Sequence, residues 1–302
     1  MCVITRSYRF VDYATQAYLL GVGALILFFH QGRVPHFHLF LLAHAAGILA
    51  IHAFVAGSAR RPGNRFLSFF RHFYPLILYV FLYRESEQLN LMFVDKYLDP
   101  AFIALEERLF GFQPALVFMN AFPHILVSEF FYMSYFSYYV MIAGVGLALY
   151  FMRREEFWHY LAVLSFVFYG CFLAFVFLPV AGPPAFYMDI PRYLGQQQLP
   201  YYPLEFPPSV TSGPFFHFMG FLYRTFESGG GAFPSSHVAA ALCILFFSWR
   251  ELPRVRYLIL AATLALSFAT VYCRYHYAVD VFAGAATAAM LIPLGEWLYR
   301  RY

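Results

Sequence analysis

Charge is scarce in this chain. Only 12% of its 302 residues are Asp, Glu, Lys or Arg, about half the share of a soluble domain. Lysine is nearly absent: Lys96 stands alone, and every other basic residue besides histidine is arginine. The net charge of +4 is small and dispersed, which argues against a nucleic-acid surface. Cysteine is rare as well. Cys2, Cys171, Cys243 and Cys273 show no CxxC-type spacing, so neither a disulfide scaffold nor a cysteine metal or redox centre is expected. Low-complexity linkers are missing, which favours one domain over 1–302. What fills the chain instead is apolar: 62% hydrophobic and 22% aromatic, with 39 Phe and 25 Tyr. Disorder and a collagen-like chain are excluded, and lipid is the simplest solvent for such a surface.

A bilayer core needs about 20 apolar residues in a helix. Eight stretches qualify, at roughly 13–30, 38–57, 66–83, 126–150, 158–180, 234–249, 257–273 and 279–298. The expected fold is therefore all-α, a polytopic membrane bundle of about eight spans. The third stretch, interrupted by Arg71, His72 and Pro75, is the weakest of the eight, with a half-span as its alternative reading. The sixth is short and is expected to begin at Pro234, since proline suits a first helical turn. Segment 91–123 mixes Asp95, Lys96, Asp99, Glu106, Glu107 and Arg108 with Phe and Leu. That mixture predicts an amphipathic helix lying on the membrane surface. The chain then divides into N-terminal spans over 1–90, the interfacial segment 91–123, and a core over 124–302 with a long outer loop at 181–233.

Charge orients the spans. With the N-terminus inside, the inner loops collect Arg6, Arg9, Arg60, Arg61, Arg65, Arg71, Arg153, Arg154, Arg250, Arg254, Arg256, Arg300 and Arg301. The outer ones collect Arg33, Arg84, Lys96, Arg108, Arg192, Arg224 and Arg274, a ratio of 13 to 7. That is the direction of the positive-inside rule. Both termini are then expected on the cytoplasmic side. The loop 181–233 holds eight of the 18 prolines and many aromatics. A loop of that length is usually functional or disordered, and this one, too aromatic for a free linker, is expected on the outer (periplasmic or lumenal) face, packed on the membrane surface or over a site.

Two short stretches carry chemistry. One is Gly229-Gly230-Gly231-Ala232-Phe233-Pro234-Ser235-Ser236-His237, entering the sixth span. The other is Arg274-Tyr275-His276-Tyr277-Ala278-Val279-Asp280, entering the eighth. The topology puts both at the outer surface, so His237 and His276 share a depth. Asp280 lies one helical turn after His276 and on the same face. It can accept a hydrogen bond from one ring nitrogen and leave the other to attack. His237 can protonate a departing oxygen. Ser235, Ser236 and the first N–H groups of the sixth span can bind phosphate oxygens. Arg274 can add a bidentate contact, and Arg192 and Arg224 in the outer loop are further phosphate or headgroup candidates beside their ordinary reading as solvated charge. Gly229, Gly230 and Gly231 read as a flexible entry to the span.

These residues resemble a known family. Phe233-Pro234-Ser235-Ser236-His237 and Arg274-Tyr275-His276-Tyr277-Ala278-Val279-Asp280, with Val281 and Gly284, resemble the second and third motifs of the type 2 phosphatidic acid phosphatase (PAP2) superfamily. Ala181-Gly182-Pro183-Pro184 and Glu106-Glu107-Arg108-Leu109-Phe110-Gly111-Phe112-Gln113-Pro114 are similar to its inositolphosphotransferase-like branch, which includes inositol phosphorylceramide synthases. The resemblance implies a six-helix core with a membrane-embedded site. It implies His276 as a nucleophile that becomes a phosphohistidine, Asp280 as its orienting partner, and His237 as the acid on the leaving group. The substrates implied are lipid phosphates or phospholipids, with no metal and no other cofactor.

The sequence departs from the family's usual pattern in two respects. That pattern opens with a Lys, six residues, then Arg-Pro; here Lys96 is followed seven residues later by Ile103, and the one Arg-Pro pair, Arg61-Pro62, falls on the inner side. The usual Ser-Arg of the third motif is replaced by Ala269-Thr270. The phosphate cage must be built differently, which favours headgroup transfer over hydrolysis of phosphatidic acid or polyprenyl diphosphate. A transporter that uses the intramembrane His44, His52 and Glu129 is the alternative from another class. Those three are expected to make inter-helix hydrogen bonds, and Ser134, Tyr135, Ser137 and Tyr138 to make helix contacts or line a cavity.

Overall fold

A computed structural model describes residues 7–184, 205–226 and 230–302. It is helical throughout these residues. The long helices are α1 (Phe10–Phe29), α2 (Phe37–Arg60), α3 (Arg65–Leu89), α6 (Ile125–Met152), α7 (Arg154–Phe177), α10 (Ser236–Glu251), α11 (Arg256–Tyr272) and α12 (Ala278–Arg301). Shorter ones are α4 (Asp99–Phe110), α5 (Pro114–Ala121), α8 (Pro208–Thr211) and α9 (Pro214–Phe226). Among the described residues, six helices are long and apolar enough to cross a membrane: α1, α2, α3, α6, α7 and α12. The 16-residue α10 and 17-residue α11 run beside them.

The helix α7 is the axis of the bundle. Its buried residues run from Phe157 to Val176 on every face, and α1, α3, α6, α10 and α12 all pack on it. Lipid tails are as apolar as leucine, so membrane helices associate through close packing rather than exclusion from water. Gly170 of α7 lets Leu291 of α12 lie against the backbone, and Gly295 of α12 meets Val163 and Phe166 of α7. Leu20, Leu42, Phe66, Phe81, Phe151 and Phe282 face outward, as a lipid-facing surface requires.

The structure sets the helix bounds. The third stretch, counted among the eight, is one continuous helix long enough to cross: α3 runs for 25 residues with Pro75 inside it. Its polar residues reach partners within the bundle: Arg71 bonds Asp12 of α1 and Tyr74 donates to the same carboxylate at 2.6 Å. The sixth span begins at Ser236 rather than Pro234, because Ser235 is the N-cap. Segment 91–123 does form short helices, but Asp99 and Glu106 are fully buried rather than facing headgroups. They are drawn inward by backbone N–H groups at the start of α12 and after α7.

Candidate active site

The second motif's backbone turns at Ser235, whose Oγ accepts from Val238 N–H at 3.4 Å. Its own N–H donates to Asp280 C=O at 3.1 Å, which ties the start of α10 to the start of α12. The two helix starts touch at Gly284: a Cβ there would lie 2.5 Å from Ser235 C=O. His237 follows one residue into α10 and is buried.

His276 stands in the turn before α12. Its Nδ1 lies 2.9 Å from Ala232 C=O and 3.3 Å from Asp280 Oδ2. A carbonyl oxygen can only accept, so Nδ1 carries the proton and Nε2 holds the lone pair. Nε2 faces Ser235 Oγ at 3.3 Å and His237 Nδ1 at 3.4 Å. On the far side of His237, Nε2 is 3.0 Å from Tyr135 OH, and the Tyr138 ring lies 4.4 Å from the imidazole. A phenol donating to His237 Nε2 leaves the proton on Nδ1. The arrangement then places a lone pair on one histidine against an N–H of the other.

Of the residues expected from sequence, the fold brings together His237, His276, Asp280, Ser235 and Ser236. Arg274 is buried, with its backbone in the left-handed region at φ 64°. Its guanidinium donates to Glu205 C=O at 2.6 Å and Asn120 Oδ1 at 3.0 Å, and lies over the Phe206 ring. It clasps the chain at Glu205 to α5. Arg224 is exposed on α9, and Arg192 lies outside the described residues, as does Gly229. Gly230 and Gly231 sit close against other segments. Gly230, at φ 96°, presses on Asn90, and Gly231 packs against Tyr83 and Phe175.

Two buried acids were not singled out from sequence. Asp99 accepts from Ala181 N–H (2.8 Å), Gly182 N–H (3.0 Å) and Tyr277 OH (2.9 Å). Glu106 accepts from Ala278 N–H and Val279 N–H, the first orphan donors of α12. Burial pushes both carboxyls up to about 7, against the pull of these donors. Their spacing of two helical turns on α4 was the available signal. The intramembrane polar groups tie helices together: His44 bonds Glu85 at 2.7 Å, and His52 bonds Tyr8 OH at 2.7 Å. Glu129 caps α9 through Phe215 N–H at 2.9 Å.

A cavity of about 370 Å³ opens beside the histidines. Leu76, Tyr79 and Val80 of α3 and Phe168 and Phe172 of α7 line it, and Ser236 and His237 form its polar end. Leu222 of α9 covers it, and Tyr223 stacks on Tyr275 at 5.0 Å.

Comparison with known proteins agrees with this architecture. A curated relative, a PA-phosphatase related-family protein of Dictyostelium discoideum, is 35% identical over 84 residues, covering 26% of this chain and 15% of that protein. No solved structure matches the chain. The PAP2 superfamily model matches residues 100–294, more than half of the chain and all of the histidine site, and the chain therefore belongs to the PAP2 superfamily.

Proposed function

We propose that the protein transfers a phosphoryl or phospho-headgroup from a membrane lipid through a phosphohistidine on His276. The observation that carries this is the facing pair, His276 Nε2 and His237 Nδ1, 3.4 Å apart beside an apolar cavity that ends on His237. The lipid's hydrocarbon occupies the cavity, and its phosphorus takes the place of the N···N contact. Nε2 of His276 attacks phosphorus, and the bond from phosphorus to the leaving oxygen breaks. His237 enters the step as the imidazolium, its Nε2–H donating to Tyr135 OH, and its Nδ1 proton goes to that oxygen, leaving the neutral ring. In the second half the acceptor's hydroxyl returns a proton to His237 as its oxygen displaces His276. Asp280 and Ala232 C=O share the Nδ1 proton and steady the positive ring as it forms. Ser235 Oγ, Ser236 and the first N–H groups of α10 meet the phosphate oxygens.

Charge favours a phosphodiester substrate and headgroup transfer, as in the inositolphosphotransferase-like branch. Three buried carboxylates, Asp99, Glu106 and Asp280, stand round the start of α12. Arg274, the arginine nearest His276 in sequence, already holds Glu205 and Asn120. A monoanionic phosphodiester suits such surroundings better than a dianionic monoester. The second reading is hydrolysis of phosphatidic acid, favoured by the name of the Dictyostelium relative. We place the site on the outer, periplasmic or lumenal, face and the termini in the cytoplasm, because arginines gather at the opposite end.

The test is turnover of a labelled phospholipid in micelles, with and without ceramide or diacylglycerol as acceptor. Headgroup should move to the acceptor, and release of free phosphate alone would defeat the transferase reading. His276→Ala should abolish both outcomes. A His276→Ala enzyme that kept its rate would end the phosphohistidine assignment.

A further inference from the structure

His276 sits in a closed circuit of hydrogen bonds that begins and ends on Asp99. Asp99 Oδ2 accepts from Ala181 N–H at 2.8 Å. The neighbouring Val180 C=O accepts from Ala232 N–H at 3.0 Å. Ala232 C=O accepts from His276 Nδ1 at 2.9 Å. His276 is followed by Tyr277, whose hydroxyl donates back to Asp99 Oδ1 at 2.9 Å. Four hydrogen bonds thus join four segments distant in sequence: α4, the chain after α7, and the two motif turns. The circuit is tight. Gly182 has φ 81°, and a Cβ on it would lie 3.1 Å from both Ala232 Cβ and Tyr275 C=O. Glu106, on the same face of α4, fixes the next two N–H groups, those of Ala278 and Val279.

We propose that Asp99 is a positioning residue of the reaction: by clamping Ala181, Gly182 and Tyr277 it places the carbonyl that receives His276 Nδ1, and so aims Nε2. The inference rests on His276 being the nucleophile. Only an acceptor with two oxygens serves all three donors at Asp99. Asn keeps the shape but turns one oxygen into an NH₂ that faces another N–H. The ring then loses its fixed direction, and a misplacement of about 1 Å in a reacting group lowers rates about a hundredfold. The hydrocarbon cavity is lined by other elements, so lipid binding is untouched.

The experiment measures kcat and KM on phosphatidylinositol with ceramide, and on phosphatidic acid, in detergent micelles. Asp99→Asn should lower kcat about 30- to 100-fold and leave KM within about threefold. Tyr277→Phe should lower kcat about three- to tenfold, by loss of one link. The double variant should be no slower than Asp99→Asn, because the two act through one circuit. Asp95→Asn, at an exposed acid four residues away, should match the parent. Unchanged kcat in Asp99→Asn, a loss confined to KM, or additive effects would overturn the proposal. Should Asp99→Asn fail to fold, Tyr277→Phe decides, and parental kcat in that variant overturns it. His276→Ala run alongside separates the two ideas. An active His276→Ala defeats the mechanism itself, whereas a dead His276→Ala with parental Asp99→Asn and Tyr277→Phe defeats only the positioning role.

Discussion

The two ends of the bundle satisfy their carboxylates in opposite ways. At the end holding both described termini, acids meet arginines: Glu155 with Arg9, Glu251 with Arg153, and Glu296 with Arg250 and Arg300. Buried Asp12 takes Arg71 as well. At the histidine end, Asp99, Glu106 and Glu129 accept backbone N–H groups, and Asp280 shares its Oδ2 between Tyr277 N–H and His276 Nδ1. Ion pairing suits an end that must stay among headgroups. Ligation by N–H groups fixes acids in place without bringing in cations that would compete with His276 for Asp280.

That contrast can be broken or sharpened by experiment. The largest effect is expected from Asp280→Asn, which should lower kcat about a hundredfold or more while the protein stays folded. A small loss of rate would mean that Ala232 C=O alone holds His276. At the other end, Arg71→Ala leaves Asp12 buried with less compensation. It should cost about 3 kcal/mol of stability, read as a lower unfolding midpoint, with activity per folded molecule unchanged. Loss of activity at full stability would show that the two ends are not separable.

A smaller effect concerns pH. Asp99 and Glu106 are pushed up to about 7 by burial. Between the ordinary carboxylate range and about 7 the folded state holds more protons than the unfolded chain. Stability from these groups is therefore full at low pH and is lost as pH rises through 7. The unfolding midpoint in detergent should fall between pH 5 and pH 8, and Glu106→Gln should flatten that slope while Glu155→Gln leaves it alone. Equal slopes in all three proteins would remove the distinction. The smallest effect is expected from Arg9→Ala. Its partner Glu155 is 3.2 Å away but 74% exposed, and such a pair is worth no more than about 0.5 kcal/mol. A larger shift in midpoint would show that the arginine end is more tightly coupled than its exposure suggests.

The spans were legible because a membrane helix is a long local pattern, and all eight stretches correspond to helices, with bounds moved by a few residues. The stretch 66–83 was the least legible because Arg71, His72 and Pro75 look costly in lipid, while the partner of Arg71, Asp12, lies on another helix. The His–Asp spacing was legible too, being one helical turn. The contacts of Arg274 were not legible, since Glu205 and Asn120 lie 69 and 154 residues away. Asp99 and Glu106 passed as surface charge because their donors lie 82 to 178 residues away.

By itself, then, the sequence determined the solvent, the number and order of long helices, and the three residues whose types and spacing suit phosphoryl transfer. These follow from hydropathy and from a 3.6-residue period, both local properties. Only the tertiary structure decided which ring nitrogen of His276 faces His237, that Tyr135 and Ala232 complete the histidine pair, and that the acids of α4 turn inward. Each depends on which backbone donor or acceptor arrives from a distant segment. A buried polar group takes whichever partner the packing delivers, because in lipid no water replaces it.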